Sequence, residues 1–171
     1  MASSTHQARV SSKQLGEGVA ADVLQLFDEL EGVEDTEATW HDAVLIDHLW
    51  PGDPSRLRFG GICVACEGHP VEIKAALVRR SNGDRDSPGH WYIKRQAHER
   101  MLDAAGHYLL VVYQQRGGRR HLARIIVPAA TMDDLLRSKW YEVNGDRSEN
   151  EVAQLSWPTL LDEAVLRREN A

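Results

Sequence analysis

Apolar residues first recur at helical spacing: Leu15, Val19, Val23, Leu26, Phe27 and Leu30 line one face, and Gly32 follows as a stop. The spacing predicts an amphipathic helix over residues 15–31. Residues 39–49 are apolar without a clear period, and Trp50, Pro51, Gly52, Asp53 and Pro54 read as a loop. The pattern then shifts to strands: Ile62 to Cys66, a turn over Glu67 to Pro70, and an alternating run from Val71 to Leu77, together predicting a hairpin. A polar loop over Asn82 to Gly89 leads to a short strand, Trp91 to Lys94, and a helix, Gln96 to Ala105, closed by Gly106. Tyr108 to Tyr113 is apolar enough for a buried central strand, and Gly117 and Gly118 turn the chain into a strand from Leu122 to Val127. Thr131 and Asp134 resemble a capping box, and Pro158 suits the first turn of a last helix. This order predicts an α/β domain with a central mixed β-sheet flanked by helices.

Length and composition narrow the picture. A chain of 171 residues that is 42% hydrophobic and 27% charged supports one well-buried core, so residues 1–171 are expected to be a single domain with a flexible stretch over 1–14. Neither a signal-peptide stretch nor a membrane-length apolar run is present, and a cytoplasmic protein with no membrane association is expected. Cys63 and Cys66 form one CxxC pair without a second, which excludes a four-cysteine zinc site within the chain and favours two small buried residues.

Charge is distributed unevenly. Residues 1–53 carry 2 basic and 11 acidic side chains, residues 54–130 carry 13 and 6, and residues 131–171 carry 5 and 9. The overall net charge of -6 therefore hides a basic middle segment, and local potential, not total charge, governs phosphate contacts. Of the 20 basic residues only Lys13, Lys74, Lys94 and Lys139 are lysines, so a lysine in a special position merits weight.

One such position is Val71, Glu72, Ile73, Lys74, Ala75, Ala76, Leu77. On a strand Val71, Ile73, Ala75 and Leu77 face one way, while Glu72 and Lys74 face the other, about 7 Å apart along the chain. Phosphodiester hydrolysis needs a hard cation, which a carboxylate holds, and a group that orients water and stabilises charge, which an ammonium supplies. As a bare tripeptide ExK also fits a solvated strand face. Here it follows a hairpin, its other face is apolar, and it leads into Val78, Arg79 and Arg80.

This arrangement resembles the core of PD-(D/E)XK nucleases, especially compact type II restriction endonucleases. The later order of loop, helix with Gln96, His98 and Glu99, apolar strand, turn and strand is similar to the common core of that superfamily over about residues 58–127. The resemblance implies a restriction-endonuclease-like fold and Mg2+-dependent cleavage of double-stranded DNA at a short palindromic site by a homodimer. Glu72 and Lys74 would be catalytic, together with a first acid. The stretch Arg58 to Ala65 holds no acid, so Asp53 is expected in that role, with Asp47, an acid from elsewhere such as Glu17, or no residue at all as alternatives. Asp53, Glu72 and Ile73 are then the expected metal ligands, and Arg79, Arg80, His90, Lys94 and Arg95 the expected DNA contacts. The apolar stretch Ala43 to Trp50 and the first helix are the expected dimer surface. A structure-specific nuclease of the Holliday-junction type and a non-catalytic DNA-binding module are the alternative readings.

Overall fold

The stretch predicted as one helix resolves into a helix and a strand. In the computed structural model, which describes residues 12–34, 36, 39–61, 65–83, 85–143 and 151–168, α1 (Ser12–Leu26) ends at a turn in which the Leu30 N–H donates to the Phe27 carbonyl at 3.1 Å. Leu30 keeps its place in the core as the first, buried residue of the edge strand β1 (Leu30–Gly32), whose other two residues are exposed. Residues 1–11 of the stretch expected to be flexible lie outside the described residues, while Ser12 to Gln14 are helical.

The chain continues through β2 (Ala43–Leu45), β3 (Arg58–Phe59), β4 (Pro70–Leu77), β5 (Arg80–Asn82), β6 (Arg85–Ser87), β7 (His90–Lys94), α2 (Arg95–Asp103), β8 (His107–Gln114) and β9 (Arg120–Pro128). It ends with α3 (Ala129–Leu136), β10 (Trp140–Glu142), β11 (Glu151–Ser156), a 3-10 turn at Trp157–Thr159 and α4 (Glu163–Arg168). A six-stranded mixed sheet has the order β1-β2-β4-β8-β9-β3. β4 and β8 run parallel, joined by a crossover that contains α2, while β2 and β9 lie antiparallel to them. Both faces of this sheet are covered. On one face α1 contributes Val19, Val23 and Phe27 against Val71, Ile73, Leu109 and Val111. On the other, α2, α3 and a three-stranded sheet, β10-β11-β7, bury Trp91, Ile93, Met101 and Met132 against Tyr108, Leu110 and Val112. This double cover explains why β8 is apolar throughout instead of alternating.

Among the described residues the antiparallel partner of β4 is β2. β2 pairs with β4 in the register Ala43↔Val71 and Val44↔Pro70, whereas most of the expected first strand, Ile62 to Cys66, lies outside the described residues. The Leu45 N–H donates to the His69 carbonyl and the Gly68 N–H to the Leu45 carbonyl, so the backbone polar groups of the 68–70 approach are satisfied by β2. Between the two strands the chain detours to lay β3 on the far sheet edge, returning through a bridge between Leu49 and Ala65 and a turn at Gly68 with φ +85°. Ile62, Cys63 and Val64 lie outside the described residues. The capping box also fails: α3 begins at Ala129, whose N–H donates to the Gly106 carbonyl, and Thr131 sits inside the helix. The polar loop over Asn82 to Gly89 is largely the small β5–β6 ribbon.

Trp91 joins the two layers. Its side chain is fully buried and its indole N–H donates to the Val111 carbonyl at 3.1 Å. Trp91→Ala is expected to destabilise the fold by about 3–5 kcal/mol in urea unfolding. A loss below about 1 kcal/mol would show that the smaller sheet does not share one cooperative core with the larger.

Candidate active site

Alternation along β4 builds the site. Val71 and Ile73 enter the core beneath α1, so Glu72 and Lys74 emerge on the opposite face, beside Tyr108 and Leu110 of the parallel neighbour β8. Glu72 is only 8% exposed, and the Lys74 ammonium donates to its Oε1. Burial pushes the Glu72 carboxyl above its ordinary value; Lys74 opposes the rise, the nearby Asp42 charge adds to it, and Lys94 again opposes it.

Asp42 arrives through the end of β2. The last β2 pair is Ala43↔Val71, and one residue further back the Asp42 N–H donates to the Val71 carbonyl at 3.1 Å. Its Oδ2 then accepts the Ile73 N–H at 2.6 Å, closing the open end of the ladder with a charge-assisted bond. Because the N–H and C=O of one strand residue point to the same side, the Ile73 carbonyl is directed toward the side where Asp42 sits, beyond the last β2 pair. Two carboxylates and a peptide carbonyl are thus assembled around one short length of β4.

The three acids expected as alternatives lie elsewhere. Asp53 is exposed in the loop before β3, where its carboxylate accepts the Ser55 N–H at 2.9 Å and the Ser55 hydroxyl at 2.7 Å, bonds that hold it below the usual carboxylate range. β3 is three positions from β4 in the sheet order, roughly 14 Å at ordinary strand spacing. Asp47 is exposed and accepts the His48 N–H at 2.7 Å, two residues past the end of β2 farther from Glu72. Glu17 is exposed on α1, on the opposite sheet face, 3.6 Å from Lys13. The acid beside Glu72 is one that sequence reasoning missed. Its signal was an acid directly before the short run Ala43, Val44, Leu45, which the reading of residues 39–49 as one ambiguous apolar segment concealed.

The basic residues separate into three groups. Lys94 lies at the end of β7 and its charge reaches Glu72. Arg79, Arg80 and His90 lie at the opposite end of β4, about 20 Å along the strand. There Arg79 is 3.5 Å from Glu163, and His90 is held below the usual histidine range by burial and by the Arg80 charge. Arg95 turns to its own protein, bonded to Glu99 at 3.0 Å, 3.7 Å from Glu151 and 4.7 Å over the Trp140 ring. His98 is buried between the Tyr108 hydroxyl at 2.9 Å and Asp133 at 3.3 Å.

No cluster of three or more His, Cys, Asp or Glu side chains suited to a metal occurs among the described residues. Asp42, Glu72 and the Ile73 carbonyl instead offer hard oxygen donors, a set that fits Mg2+ better than zinc. The raised pKa of Glu72 has a consequence for stability. A folded value above the unfolded one contributes stability that is complete below the unfolded pKa and is lost as pH rises through the folded value. Without divalent cation, Glu72→Gln is therefore expected to gain thermal stability relative to wild type as pH rises above the ordinary glutamate value, from about pH 4 upward. A constant difference across that range would mean that Glu72 is not strained by its burial.

The same geometry can be set against known families. No curated protein and no solved structure matches the chain. The sequence model of the PD-(D/E)XK nuclease superfamily domain, however, matches residues 6–162, which span the six-stranded sheet, the Asp42 turn and the ExK strand. By that match the chain belongs to the PD-(D/E)XK nuclease superfamily.

Proposed function

We propose that this protein is a Mg2+-dependent DNA endonuclease with Asp42, Glu72 and Lys74 at its active site. The observation that carries this reading is the bond from the Ile73 N–H to Asp42, which brings an acid onto the ExK strand. It also weighs against a binding module that has lost its first acid.

Hydrolysis adds water across one P–O bond. The water oxygen bonds to phosphorus, the bond to the leaving sugar oxygen breaks, that oxygen takes up one proton, and the second proton passes to solvent. Bound Mg2+ supplies charge neutralisation at the phosphate and acidifies water. Asp42 and Glu72 would hold it, with the Ile73 carbonyl as a third donor. Glu72 needs its counter-charge to remain ionised in a buried setting, and Lys74 provides it from the same strand face. The Lys74 ammonium also stands where it orients the attacking water and offsets negative charge as the transition state forms.

Within this reading we favour double-strand cleavage at a palindromic site by a two-fold dimer, the type II restriction pattern. Its support is the exposed apolar group Leu26, Ile46 and Trp50, with Trp50 72% exposed, close to the α1–β2 side of the sheet. The β5–β6 ribbon with Arg79 and Arg80 supplies a two-stranded element of the kind that enters a DNA groove.

Asp42→Asn, Glu72→Gln and Lys74→Ala are each expected to lower the Mg2+-dependent rate on supercoiled plasmid by about 10²-fold or more, while Asp53→Asn stays within about threefold of wild type. If Asp53→Asn is the damaging change and Asp42→Asn is silent, the first acid is misplaced. Sedimentation with and without duplex tests the dimer. A monomer in both conditions that only nicks DNA contradicts the restriction pattern, and cutting confined to four-way junctions favours the structure-specific alternative.

A further inference from the structure

We propose that Lys94 is a second catalytic lysine, which holds the scissile phosphate against the Asp42–Glu72 pair. The inference rests on the nuclease reading above and adds a residue from a separate element to its site.

The placement follows from how β7 returns over β4. The Gly89 N–H donates to the Leu77 carbonyl at 3.0 Å, tying the start of β7 to the end of β4. From that tie five residues back along β4 lead to Glu72, and five forward along β7 lead to Lys94. The hydrogen bond from Trp91 to Val111 and the burial of Ile93 hold β7 down on this path. β7 pairs with β11 along its length, with Lys94 opposite Val152, so the strand end is anchored from the other edge as well. Lys94 is therefore brought to the Glu72 end of β4, and its charge acts on the Glu72 carboxylate.

The two lysines differ in setting. Lys74 is half-buried and its ammonium is bound to Glu72, inside the site. Lys94 is exposed at the rim, where a phosphate arriving from solvent comes within reach. Two of the chain's four lysines thus converge on one carboxylate, although 16 of its 20 basic residues are arginines. The neighbouring Arg95 is engaged with Glu99, Glu151 and Trp140. A compact ammonium suits a crowded site with two carboxylates, where a planar guanidinium would seek a bidentate pair with one of them. A phosphodiester bound beside Asp42 and Glu72 brings one further negative charge, shared by its two non-bridging oxygens, into that site, and Lys94 offsets that charge as it grows in the transition state.

The test uses the full chain with duplex DNA. Lys94→Met and Lys94→Arg are compared with wild type and Glu72→Gln, reading single-turnover cleavage at saturating DNA in Mg2+ and the DNA dissociation constant in EDTA. Lys94→Met is expected to lower the saturating rate by about 10²-fold while the dissociation constant changes by less than about threefold, with Lys94→Arg recovering only part of the rate. In a second readout, amine acylation followed by peptide mass spectrometry, Lys94 of wild type is expected to be protected by duplex in EDTA. An effect confined to the dissociation constant would make Lys94 a backbone anchor and overturn the proposal, as would a saturating rate within about threefold of wild type. Those failures occur with an active wild type that Glu72→Gln disables. A wild type that cleaves no DNA sinks the nuclease reading, and the Lys94 assignment with it.

Discussion

The structure turns on burying a carboxylate beside a counter-charge on the same strand. Glu72 lies on a strand buried on both faces, and an unpaired carboxylate there would take up a proton rather than bear the cost of desolvation. Lys74 offsets that cost from two residues away, at the shortest spacing that returns a strand side chain to the same face. Asp42 acts in the opposite sense, since a second carboxylate raises the cost. Such opposition is stable only when the backbone fixes both acids, and the Ile73 N–H does so for Asp42. In the proposed reading a cation between them would relieve the repulsion, and the arrangement would trade stability of the metal-free fold for affinity toward a hard metal ion.

Topology makes this placement possible. A parallel β4–β8 pair needs a long crossover, and the chain uses it to build β7 and α2 over the Glu72 face. The face that carries the charged pair is thereby roofed by Trp91, Ile93 and Met101, which pack with Tyr108 and Leu110 of β8. The short β2 is equally consequential. Had it continued past Ala43 toward the end of β4, its ladder would have occupied the Ile73 N–H, and Asp42 would have had no backbone donor to seat it.

Most of the fold was legible because its signals are local. The alternation of β4, the apolar run of β8 and the glycines between β8 and β9 each follow from residues adjacent in sequence. The ExK pair was legible for the same reason. Asp42 was not, because its role depends on a register between segments 30 residues apart, and the detour that carries β3 to the far edge leaves no trace in periodicity. Asp53 attracted attention by its nearness in sequence to Glu72, yet it serves a local turn with Ser55. The basic cluster shows the same limit. His90, Lys94 and Arg95 look alike in sequence, but a strand of five residues separates His90 from Lys94, and Arg95 begins a helix whose neighbours claim its charge.

The central claim is that Asp42 and Glu72 share one cation. A crystal soaked in Mn2+ and measured at the manganese absorption edge tests it most directly, because an anomalous peak locates the ion without reference to activity. The account predicts a peak about 2 Å from oxygens of both Asp42 and Glu72. A peak at Asp53, or none at the Asp42–Glu72 pair in a crystal that binds Mn2+ elsewhere, would contradict it.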